Sequence, residues 1–99
     1  MAMADLEEQK RYLEIEKADR AKAVLDNPVY KEAFDELEQQ LLVQMETTVK
    51  PEDVLQLHKM FVCNRRVKNL LAGHIETGKL AAIQLEQKRK FSMLKWSSN

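Results

Sequence analysis

The chain has 99 residues, 44% hydrophobic and 32% charged, with two glycines, two prolines, one cysteine and 16 acids against 16 bases. So few turn formers argue against a many-stranded sheet, and a single cysteine excludes an internal disulfide and points to a reducing compartment. No charge-free run approaches the roughly 20 residues of a membrane span, and the acidic N-terminus lacks an apolar signal core, so a cytoplasmic product without a membrane partner is expected.

The zero net charge hides an asymmetry. Residues 1–46 carry 12 acids and 6 bases, residues 47–78 carry 3 and 5, and residues 79–99 carry 1 and 5. A chain acidic at one end and basic at the other can pair with copies of itself or offer its basic end to an anion.

The first predicted element covers residues 5–26. Glu7/Arg11 and Glu16/Arg20 are i,i+4 pairs of a solvated helix, and its apolar side is thin: Ile15, Ala18, Ala21 and Leu25. So polar a helix needs something to lie against. Asn27-Pro28 then ends one helix and starts another. Asn is a preferred N-cap, Pro at the first helical position loses only an unpaired N–H, and the residue before Pro is pushed out of the α region.

The second helix, residues 28–46, carries Tyr30, Ala33, Phe34, Leu37, Leu41 and Met45 on one face at the helical period. Lys50-Pro51-Glu52-Asp53 repeats the start signal. A third, long helix over 51–77 follows, with Leu57, Phe61, Leu71 and Ile75 in a stripe widened by Cys63, Leu70 and His74. So wide a face predicts contact on two sides. Gly78 is read as ending or weakening this helix, before a basic C-terminal helix or tail over 79–95 with Leu80, Ile83, Phe91 and Leu94 on one side. The sequence thus predicts an all-α fold: an antiparallel helical hairpin or small bundle of three to four helices, completed by oligomerisation.

Tyr30, Phe34, Leu37 and Leu41 against Leu57, Phe61, Leu71 and Ile75 are the expected core and oligomer seam. Asn64 falls on the same stripe, either half-exposed or as a polar residue that fixes register between copies. Phe91, Leu94 and Trp96 are the candidate docking tail. Arg65, Arg66, Lys88, Arg89 and Lys90 are candidate phosphate contacts, although cations at a helix end also complement its dipole. His58, Cys63 and His74 are spaced by 5 and 11 residues, outside the i,i+3 or i,i+4 steps of helical chelation, so no metal is expected. No Gly-rich loop or nucleophile motif is present. No catalytic residue and no cofactor is predicted.

The segments AKAVLDNPVYKEAFDELEQQLL (21–42) and HIETGKLAAIQL (74–85) together resemble small helical proteins encoded among the head-assembly and packaging genes of tailed bacteriophages. The middle, residues 48–68, departs from that pattern, where such chains are often richer in Arg and Trp. The resemblance implies a non-enzymatic component of the virion or its assembly, acting in several copies and on another phage structural protein. Its location would be the bacterial host cytoplasm or the virion. Two other roles suit the charge layout. One is a small-terminase-like packaging factor that sets its basic residues on nucleic acid. The other is an inhibitor of a host defence protein, with the acidic segment 5–19 as a nucleic-acid mimic.

Overall fold

The computed structural model describes the backbone of residues 3–97 and the side chains of residues 5–94. It contains three helices, α1 (Met3–Leu25), α2 (Pro28–Thr47) and α3 (Pro51–Ser97), and no strand among the described residues. The all-α expectation therefore holds.

The starts of α2 and α3 follow the sequence signals. Asn27 sits at φ −68°, ψ 120° and its Oδ1 accepts from the backbone N–H of Val29 (2.9 Å) and Tyr30 (3.3 Å), so two otherwise unpaired donors are satisfied. Before it, the N–H of Asp26 still donates to the carbonyl of Lys22, which closes the last turn of α1. At the other end of α2, the hydroxyls of Thr47 and Thr48 donate to the carbonyls of Val43 and Gln44. In α3 the N–H groups of Asp53 and Val54 reach the carbonyl of Lys50.

Gly78 does not end a helix. The segments expected as separate helices over 51–77 and 79–95 are one α3 of 47 residues. No glycine adopts positive φ, so the left-handed geometry of a glycine C-cap is missing. Gly78 is instead buried against α1.

At 1.5 Å per residue α3 is about 70 Å long, and it sets the shape of the molecule, 75 × 26 × 21 Å. Glu8, Arg11 and Ala18 of α1 meet Lys88, Gln84 and Gly78 in turn. Asp35 and Glu38 of α2 meet Lys68 and Arg65. Both short helices therefore run antiparallel to α3, α1 along its C-terminal half and α2 along its N-terminal half, and they make few contacts with each other. The molecule is a two-layer hairpin with one arm broken at Asn27-Pro28. From Ala18 to Asp35 the broken arm advances 17 positions while α3, from Gly78 to Lys68, advances only 10. The arm leaves α3 around the break, where residues 26–29 are exposed.

The covered face of α3 is narrow. Val54, Leu57, Phe61, Asn64, Leu71, Ile75, Gly78, Ala81 and Leu85 are half-buried or buried, and they recur at close to 3.5 residues, the spacing of coiled-coil packing. Among the described residues the buried ones are small, Ala18, Ala21 and Ala81 with Gly78, and Leu41, at 2% exposure, is the only large buried side chain. Small residues bring the backbones of α1 and α3 together. A Cβ built on Gly78 would overlap Ala18 Cβ outright and stand 3.2 Å from the Glu14 carbonyl oxygen.

Candidate functional site

The expected core residues split between two contacts. Leu41 is buried, and Tyr30, Phe34, Leu57, Phe61, Asn64 and Leu71 are half-buried. Tyr30 and Phe34 stack at a tilt, with ring centroids 4.4 Å apart. Arg65 lies 4.8 Å over the Phe61 ring and donates to Glu38 Oε1 from Nη2 at 2.8 Å and from Nε at 3.1 Å. Two members depart from the expected core. Leu37 is 40% exposed while Glu38 turns inward to Arg65; α2 is rotated so that its stripe is used off-centre. Ile75 lies beside Ala18 and Lys22 of α1 rather than with α2. Asn64 is on the covered face, within the seam of the chain itself.

The five candidate phosphate contacts do not form one patch. Arg65 and Arg66 stand about 35 Å along α3 from Lys88 and Arg89, at 1.5 Å per residue. Several already have acidic neighbours: Arg65 with Glu38, Lys88 with Glu8 at 4.0 Å, and Lys90 with Glu86 at 3.5 Å. Arg66 and Arg89 make no ion pair among the described residues. His58, Cys63 and His74 stay apart on α3, and no group of three His, Cys, Asp or Glu among the described residues could hold a metal ion.

Of the candidate docking tail, Phe91 and Leu94 are exposed at 69% and 68% on the last turns of α3. The side chain of Trp96 lies outside the described residues. Below this end, α1 and α3 bound an open groove of about 660 Å³ whose walls include Tyr12, Ile15, Leu85 and Met93, with Glu8 and Arg89 at its rim. Apolar walls and a mixed ionic rim suit a docked side chain or helix.

The larger feature is what the short arms leave open. On the N-terminal half of α3, Leu55, Met60, Val62, Val67 and Leu70 are 46–59% exposed, and on the C-terminal half Leu80 and Ile83 are 56% and 52% exposed. The wide stripe that predicts contact on two sides is covered by this chain on one side alone. Sequence reasoning missed the small-residue contact. Its signal is present as two matched pairs, Ala18/Ala21 and Gly78/Ala81, each three residues apart, the spacing of neighbours on a helix face.

Fold and surface together define an extended helical hairpin with a thin covered seam and broad apolar flanks. No family model matches the chain, and no curated protein or solved structure shows significant similarity to it. Among the described residues, no helix is long and apolar enough to cross a membrane.

Proposed function

We propose that this protein is a non-enzymatic interaction module that assembles with itself and presents its remaining apolar and charged surface to another protein. The observation that carries this reading is the surface left open. A compact chain of 11.6 kDa exposes about 5,800 Å² by the mass scaling of monomers, whereas this one exposes 8249 Å². Its radius of gyration is 21.1 Å, against about 13 Å for a compact chain of this length. Burial of one large side chain among the described residues does little to offset the entropy of ordering three helices; a second copy supplies the missing burial. Association within a tailed-phage particle or its assembly is the setting that the segments 21–42 and 74–85 favour.

Light scattering across concentration, at low and high salt, tests the reading. A defined multimer that persists at high salt supports association through apolar surface, because screening leaves such contacts intact. A monomer at every concentration counts against it.

A further inference from the structure

The two glycines lie five positions apart in α3 and have opposite surroundings. The space beside Gly78 is taken by Ala18. A Cβ on Gly73 would meet nothing within 4 Å. Glycine lowers helix propensity, and no contact within this chain calls for it at position 73. A second helix crossing there would use the missing side chain as Ala18 uses that of Gly78.

The pattern around Gly73 fits such a crossing. Leu55 and Phe91 stand 18 residues before and after it, five helical turns in each direction, and so point the same way as Gly73. Val62, 11 residues before, and Leu80, 7 after, lie within about 20° of the same line at 100° per residue. These four side chains are 55%, 69%, 47% and 56% exposed. Over the N-terminal half of α3 the line is opposite the covered side, where the half-buried Asn64 is about 180° from it at the same pitch; beyond Leu80 it passes within about 20° of Gln84, which accepts from Arg11 of α1. Gly73 is also close to the middle of the helix, 22 residues after Pro51 and 24 before Ser97.

We infer that the back of α3 is the contact surface for a second copy of this chain, packed antiparallel and crossing at Gly73. The inference deepens the self-association reading and rests on it. A two-fold axis at Gly73 sets Leu55 against Phe91 of the partner subunit and places Val62 near the partner's Leu80. It also brings the acidic first turn of α3, Glu52 and Asp53, toward the basic end that carries Lys88, Arg89 and Lys90 in the other copy, so charge favours this direction over a parallel one. The surface of each chain in excess of a compact monomer is about 2,400 Å², more than the roughly 800 Å² per partner of a standard interface. The contact leaves α1, α2 and the groove at Tyr12 uncovered for another protein.

The test uses light scattering on Gly73→Gln and a spin label on the exposed native Cys63. Gln is a good helix former and its Cβ would meet nothing within 4 Å, so the helical signal in circular dichroism should be unchanged while the dimer dissociates, with an affinity loss of tenfold or more. Cys63 is 10 residues from the crossing, so two labels in an antiparallel dimer are about 30 Å apart at 1.5 Å per residue. A Gly73→Gln protein that remains as dimeric as the parent, or labels within about 15 Å of each other as in a parallel pair, overturns the crossing while self-association stands. A parent chain that is monomeric throughout removes both.

Discussion

Gly78→Ala adds one methyl group at the tightest point of the hairpin, and its effect can be worked from the contact. The added Cβ overlaps Ala18 Cβ and stands 3.2 Å from the Glu14 carbonyl oxygen and 3.6 Å from Ala18 Cα. None of these atoms is the end of a flexible side chain, so α1 must move bodily away from α3. Overpacking of this kind costs about 1–3 kcal/mol, and retreat of α1 also loosens Ala21 and Ala81, buried at 4% and 1% exposure. Against this, Ala gains up to about 1 kcal/mol over Gly in helix propensity. The net expectation is a loss of about 1–2 kcal/mol. In a thermal melt followed by circular dichroism that is roughly 5–15 °C for a chain of this size. The double variant Ala18→Gly, Gly78→Ala removes the Cβ overlap and should recover stability relative to Gly78→Ala alone, a coupling that a double-mutant cycle reads directly. The reasoning is refuted if Gly78→Ala melts at or above the parent temperature, or if the two substitutions simply add.

Leu41→Ala removes a large buried side chain, at 2% exposure, and should cost about 2–5 kcal/mol in urea titration; a loss below about 1 kcal/mol would mean that α2 hardly packs on α3. Asn27→Ala deletes an acceptor that serves two N–H groups and should cost about 1 kcal/mol, whereas Asn27→Gly should cost a few tenths. The Arg65–Glu38 pair, with the arginine side chain 62% exposed, should contribute less than about 1 kcal/mol in a double-mutant cycle and fade with added salt; undiminished coupling in high salt would contradict a solvated pair. Duplex DNA titrated at increasing ionic strength should bind weakly, because the basic clusters are separated and partly neutralised. Tight binding with a log–log salt slope steeper than about −4, at −0.9 per contact, would favour the packaging-factor role instead.

The parts of this fold legible in the sequence are those set by local chemistry. Asn27-Pro28 and Pro51 mark helix starts because capping and the fixed φ of proline act within a few residues, and the stripe on α2 places Leu41 in the seam. Gly78 was not legible as an interior contact, since a glycine that ends a helix and one that admits another helix look alike until the partner is known. The thin apolar face of α1 has the same cause: Ala18 and Ala21 are small because the backbones approach closely, so a weak amphipathic pattern marked the tighter of the two contacts. Leu37 leaves its expected place in the core, at 40% exposure, while Glu38 turns toward Arg65; a rotation of α2 about its axis of this size is not specified by an apolar stripe alone. The wide stripe of α3 was legible as a surface, and one chain covers only one side of it.

The break at Asn27-Pro28 also divides the molecule mechanically. α1 and α2 grip opposite halves of one continuous rod and scarcely touch each other, so they act as two clasps in series. Opening one exposes half of α3 and leaves the other half shut. Amide exchange should therefore resolve two steps, with α2 and the Leu57–Asn64 region protected as one unit and α1 with the Gly78–Leu85 region as another. A partner that pries α1 away gains a fresh apolar track along the C-terminal half of the rod while the Leu41 end remains closed.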